Sequence, residues 1–411
     1  MTNMRFQNYK KKEITHSIHL KIPTGINQVN VYLSLPIEHL NQRNITIKEI
    51  FPSPLEYLNI EGNDVAYFEF KSSTRISINC QLVTSEMKLE KSNSMAFLPK
   101  NVCKAFTRSQ QLIQINDEIK NLARNIVKDE KEPLKQAELL FTWIVENIRY
   151  KKPSSNFGNL IALRNKRGDC GNMSFLFVSL CRALNIPARV IFGWWAIGPG
   201  KTGPHAWSEC FIENYGWFPV DCAVSSLVKQ AKRRYYLFSG TDFYDVSNDP
   251  KYYFGNIDNK RVIYSIGSEL DVPHSYPDFM IEKYKKFNLD LNGTPYIWGK
   301  LSQNQKILWL QPFFIDFKRE NENIIRYPSF KSILTVKVPV RVRLIYYSHI
   351  LSGILIFPSI IGLIFFHNPF FLLLTILFHA TTALFLWKGT TRIFYIVILF
   401  LILISILLTL I

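Results

Sequence analysis

A chain of 411 residues with 49 Lys and Arg against 32 Asp and Glu carries a net charge of +17. With 47% hydrophobic and 14% aromatic residues it holds material for two or three packed cores, which excludes a disordered chain and one that depends on disulfide staples. The positive balance calls for an anionic neighbour, and the ordinary candidates are nucleic acid and the anionic face of a membrane.

The first twenty residues are basic but lack the apolar stretch of a signal peptide. Residues 14 to about 90 read as β structure. "VNVYLSL" puts Val29, Val31, Leu33 and Leu35 on one face, and "RISINCQL" does the same with Ile76, Ile78, Cys80 and Leu82. Turn signals at Pro23-Thr24-Gly25 and Gly62-Asn63-Asp64 separate the strands, so residues 1–100 are expected to form a β-sandwich.

Near Ile115 the period becomes helical, with Ile115, Ile119, Leu122 and Ile126 on one stripe, and a second helix is predicted from Pro133 to about Ile148. A third begins at "RGDC". Asp169 is a good N-cap, and Met173, Leu176, Phe177, Leu180 and Leu184 repeat at helical spacing behind it. Cys170 therefore falls in the first turn, where unpaired N–H groups and the helix dipole favour a thiolate. "ARVIFGWW", "HAWSECFIE" and "GWFPVDCA" then read as strands, the last two joined around "ENYG". Helices followed by antiparallel strands make residues 101–280 an α+β domain. If the chain reverses near Asn214-Tyr215, Asp221 lies within about four residues of the position opposite His205, close enough to touch it. Trp194 and Trp195, adjacent on a strand, must face opposite sides.

Residues 281–344 are expected to be a basic juxtamembrane segment. From Ile345 onward the chain is nearly all apolar, and three stretches, 345–366, 369–387 and 393–411, approach the ~20 residues of a transmembrane helix. Lys331, Lys337, Arg341 and Arg343 precede the first, and Lys388 and Arg392 flank the last break. The positive-inside rule then predicts a multi-pass membrane protein whose large N-terminal part is cytoplasmic. The six cysteines show no CxxC spacing and are expected to be free thiols; no histidine or cysteine pair has metal-ligand spacing, so no metal or other cofactor is expected.

"RGDC", "LCRALNIPARV", "HAWSE" and "GWFPVD", in this order, resemble the transglutaminase-like superfamily of papain-like thiol enzymes. Asn185 stands where that family usually has glycine, a small departure because asparagine tolerates the left-handed conformation at a helix end. "YYFGNIDNKRVIYSIG", Tyr252 to Gly267, resembles the end of the domain in microbial members. The resemblance implies that Cys170 is the nucleophile, His205 the general base and acid, and Asp221 the residue that orients His205. It implies acyl transfer from a protein or peptide amide through a Cys170 thioester, with peptidase or amidase activity favoured over crosslinking. The oxyanion would be held by the Cys170 backbone N–H and a side chain upstream, for which Trp143 and Tyr150 are candidates. Arg182 and Arg189 also fit the family pattern and are expected to tie the helix to the sheet. The rival expectation is a catalytically silent scaffold or binding domain tethered to the membrane. No motif supports nucleic-acid binding, and the basic excess suits lipid headgroups, with further membrane contact through the C-terminal helices.

Overall fold

Eight strands, drawn from both ends of the chain, build two facing sheets around one apolar layer. The computed structural model describes residues 4–90, 96–151, 157–198, 201–234, 247, 249–271, 289–291, 294–296, 307, 309–319 and 328–337. Strands β1 (Met4–Lys21), β2 (Ile26–Ser34), β3 (Gln42–Phe51), β4 (Glu56–Ile60), β5 (Asn63–Phe70) and β6 (Thr74–Leu89) come first. Two later strands, β15 (Phe313–Arg319) and β16 (Ser329–Val336), complete the sheets, whose orders are β16-β1-β6-β3 and β15-β2-β5-β4. Val29, Val31, Leu33 and Leu35 do share a face, and they pack against Ile76 and Ile78 across the sandwich.

The expected sandwich is present but its boundaries differ. Residues 313–336 were expected in the juxtamembrane segment, yet β15 pairs antiparallel with β2 and β16 with β1. Phe313, Ile315, Phe330 and Leu334 are buried there. Their alternation is the same as in the early strands, but nothing local announces a partner some three hundred residues earlier. Strand β1 begins at Met4 rather than near 14, because its first half, largely polar, pairs with β6 while staying mostly exposed. The three predicted membrane spans lie outside the described residues; among those described, no helix is long and apolar enough to cross a membrane.

Between β6 and β15 the chain forms the α+β half. Helices α1 (Lys100–Ala105), α2 (Asp117–Val127), α3 (Pro133–Asn147), α4 (Asn159–Asn165) and α5 (Cys170–Ala183) precede β9 (Ala188–Gly198), β10 (Lys201–Ile212) and β11 (Gly216–Val220). Helix α6 (Cys222–Arg234), a short 3-10 turn at Pro250–Tyr253 and β12 (Arg261–Ile266) follow, and the sheet order is β11-β10-β9-β12. A two-residue parallel pair, β7 (Arg149–Tyr150) and β8 (Arg167–Gly168), leads into α5, and a small ribbon, β13 (Leu289–Leu291) with β14 (Thr294–Tyr296), lies further on.

The apolar stripe Met173, Leu176, Phe177, Leu180 and Leu184 marks one face of α5, but Asn172 through Arg182 are all buried. It contacts α2, α3 and α4, and on its sheet side Phe175 meets Phe192 with ring centroids 6.2 Å apart. A helix enclosed on every side needs no polar face. Ser179 is accommodated by a hydrogen bond, its Oγ donating to the Leu176 carbonyl at 2.9 Å.

The two halves share a core. Ile14, Cys80, Leu82 and Leu334 of the sandwich cluster with Trp194, Val262 and Tyr264 of the α+β sheet. Gln42 Nε2 donates to the Ile263 carbonyl at 2.8 Å, and Glu209 joins His39 of the sandwich (2.7 Å) to Arg189 (2.7 and 2.9 Å). These polar groups are satisfied across the boundary, as burial requires.

Candidate active site

Asp169 is the N-cap of α5, its Oδ1 accepting from the Asn172 N–H at 2.8 Å, and Cys170 is the first helical residue. The glycine before them has a steric reason. A Cβ at Gly168 would sit 2.8 Å from the Asn172 Cβ, so only glycine lets the β8 segment pass this close to the helix start. Asn172 in turn accepts from the Gly158 N–H at 2.9 Å, fixing the entry to α4.

In the β10–β11 hairpin Ser208 pairs with Val220, which puts Asp221 two residues short of the position opposite His205. The contact expected from the turn is present, with His205 Nε2 and Asp221 Oδ2 2.7 Å apart. Asp221 is fully engaged: its Oδ1 accepts from the Val224 N–H at 2.9 Å, at the start of α6, and its Oδ2 also takes Arg261 Nη1 at 2.5 Å. Burial opposes ionisation of Asp221, but the charges of His205 and Arg261 hold its carboxyl well below the usual carboxylate range. With Nε2 committed to Asp221, His205 has Nδ1 left to take a proton.

Cys170 is brought to this sheet, which spacing alone could not establish. The backbone N–H of Ala206, the residue after His205, donates to the Cys170 sulfur. Cys170 is half-buried, and its thiol is not acidic by itself: burial, then the neighbouring Asp169 charge, push it up to about 12, against the N–H groups of Ala206 and Gly171. The pull of the helix start toward a thiolate is thus outweighed by burial. Ionisation requires transfer of the proton to a base such as His205.

Arg261 was not anticipated from the sequence. It opens β12 opposite Trp195, is fully buried, and reaches Asp258 at 3.2 Å as well as Asp221. Its guanidinium lies 5.2 Å from the Trp195 ring centroid and 5.3 Å from that of Trp207, within cation–π range of both. The available signal was a charge at the mouth of the otherwise apolar strand "RVIYSI". The tandem tryptophans do part company: Trp194 is buried in the core shared with the sandwich, while Trp195 stands 5.2 Å from the His205 ring.

Arg182 ties α5 to the start of β9 through the Ala188 carbonyl at 3.0 Å and to Gln110 at 2.8 Å. Arg189 lies over Trp217 at 4.0 Å, which takes Trp217 away from His205. Of the two oxyanion candidates, Tyr150 pairs in register with Gly168, two residues before Cys170, whereas Trp143 lies on α3 under the Lys166 amine. All six cysteines are free thiols, and among the described residues no cluster of His, Cys, Asp or Glu could hold a metal ion.

The profile of the transglutaminase-like superfamily matches residues 120–222, a stretch that contains Cys170, His205 and Asp221 but ends before Arg261. A Haemophilus influenzae protein described as uncharacterized is 26% identical over 204 residues, 43% of this chain and 52% of that protein, so the chain spans about half the length of this relative. Among solved structures, a candidate cysteine protease from Cytophaga hutchinsonii is 14% identical, with 77% of this chain and 100% of that one covered at a TM-score of 0.45. The periplasmic domain of TgpA from Pseudomonas aeruginosa is 12% identical, covering 54% of this chain and 91% of that one at a TM-score of 0.32. Residues 120–222 are thus similar to the transglutaminase-like superfamily.

Proposed function

We propose that the protein is a thiol enzyme that cleaves or transfers the acyl group of peptide or side-chain amides through a thioester on Cys170. The observation that carries this reading is the buried His205–Asp221 pair, with the N–H next to His205 on the Cys170 sulfur. His205 Nδ1 takes the thiol proton as the sulfur attacks the amide carbonyl, and Asp221 stabilises the imidazolium. The Cys170 N–H, at the first turn of α5, is suited to the developing oxyanion. The imidazolium then protonates the departing amine, and water or an acceptor amine releases the acyl group from the thioester. Hydrolysis is the preferred outcome, because uncontrolled protein crosslinking inside a cell would be harmful. Anchoring through residues 345–411, with the catalytic part on the cytoplasmic side, belongs to the same proposal and rests on the apolar sequence and its Lys and Arg flanks.

The second reading is a silent scaffold or binding domain held at the membrane. Limiting iodoacetamide, with modification followed by mass spectrometry of the full chain, separates the two. An enzyme should show Cys170 alkylated at neutral pH ahead of half-buried Cys103, and His205→Ala should abolish that preference. If Cys170 lags behind Cys103 in the unaltered chain, the scaffold reading stands.

A further inference from the structure

The outer face of the sheet β16-β1-β6-β3 carries two adjoining cross-strand rows of different chemistry at the end of the sandwich away from the core shared with the α+β half. In the first, Phe51, Ser77, Ser17 and Ile333 are register partners, and Phe51 is 64% exposed and Ile333 38% exposed. In the second, Arg75, His19 and Lys331 face one another directly, all exposed, with no acidic residue in the row. Arg75 and Lys331 thus stand on either side of His19 with no carboxylate in the row to balance them. Lys21, one step further along β1, extends the cationic surface, and these side chains line a cavity of about 500 Å³ together with Leu20 and Phe330. The cavity wall is braced, since Ser73 Oγ accepts the Ile22 N–H at 2.8 Å and Arg75 donates to Ser17 Oγ at 3.0 Å. The connection from β3, which ends at Phe51, to β4 presents Leu55 at 65% exposure. Clustered exposed apolar side chains mark an interaction surface, and cations beside them select an anionic one.

We infer that this face of the sandwich docks on an anionic bilayer, Phe51 and Leu55 entering the headgroup region while Lys21, Arg75 and Lys331 hold the phosphate of an anionic lipid in the cavity. The inference is independent of Cys170 and of the apolar C-terminal stretch. A bilayer fits better than a protein partner because exposed apolar side chains at a strand end and a turn adjoin a row of unbalanced cations. The chain's net charge of +17 adds long-range attraction of the same sign.

Lysine acetylation of the full chain, read residue by residue by mass spectrometry, tests this in vesicles of phosphatidylcholine with and without phosphatidylglycerol. Lys21 and Lys331 should be labelled several-fold more slowly when phosphatidylglycerol is present, while Lys135 on α3 is unchanged. High salt and Arg75→Glu should each remove the protection. The double variant Phe51→Ser, Leu55→Ser should weaken it at low salt without altering thermal unfolding. Equal labelling in both vesicle types overturns the proposal, and so does equal protection by inorganic phosphate alone, which would indicate a small-anion site. Protection that survives the double variant overturns the insertion of Phe51 and Leu55.

Discussion

Asp169 has two effects that pull in opposite directions. Its carboxylate caps α5 and so places Cys170, yet its charge is one reason the thiol resists ionisation. Burial raises Asp169 itself to about 6, against the N–H groups it accepts. A carboxyl whose folded value lies above the ordinary one favours the folded state most at acid pH and loses that advantage as pH rises from about 4 through about 6. Asparagine caps as well as aspartate. Asp169→Asn should therefore keep the helix start, stabilise the fold by about 1–3 kcal/mol above pH 6, and move Cys170 alkylation to lower pH. Denaturant titrations at acid and neutral pH, alongside the alkylation profile, check both parts. Arg261 acts through Asp221 and is a positioning residue. Arg261→Met leaves Asp221 and Asp258 buried without their cation and should cost about 3–5 kcal/mol in chemical denaturation. It should also weaken the preference for Cys170 in alkylation, because Asp221 is then less firmly held against His205.

At the scale of elements, the candidate site was legible where a local rule governs it. The cap before Cys170 and the turn near Asn214 are both short-range features, and they brought the helix start and the His205–Asp221 contact out of the sequence. Burial around α5 was misread because a helix that is apolar on one stripe and carries only small polar residues elsewhere looks amphipathic until its neighbours are known. Arg261 escaped notice because, apart from Asp258 three residues earlier, its partners come from β9, β10 and the residue after β11, and no periodicity links them. The same strands impose a demand on Gly193, where a Cβ would lie 2.1 Å from the Val262 carbonyl oxygen and 3.1 Å from the Trp207 ring. Gly193→Ala must push β9 away from β12, which carries Arg261. A loss of about 3 kcal/mol or more is expected, with a weakened preference for Cys170 in alkylation.

For the whole molecule, the sandwich is a discontinuous unit into which the α+β half is inserted. Its strand alternation was readable from residues 29–35 and 76–82, but its boundaries were not, because the pairing of β16 with β1 depends on sequence separation that no pattern reports. Deleting residues 313–336 would take one edge strand from each sheet and leave the partners of Phe313, Ile315, Phe330 and Leu334 exposed. At roughly 1.5–3 kcal/mol for each of these side chains, the loss rivals the net stability of an ordinary domain. Limited proteolysis of that variant should cut within β1–β6, whereas the unaltered chain resists.

The interrupted sandwich also sets an order of events during synthesis. While the ribosome is still making the α+β half, both sheets lack an edge strand and their inner faces stay partly open. Residues 120–222 and β12 have all emerged before β15 exists. The half with the candidate site can therefore acquire its shape first, and the part translated earliest is the last to close.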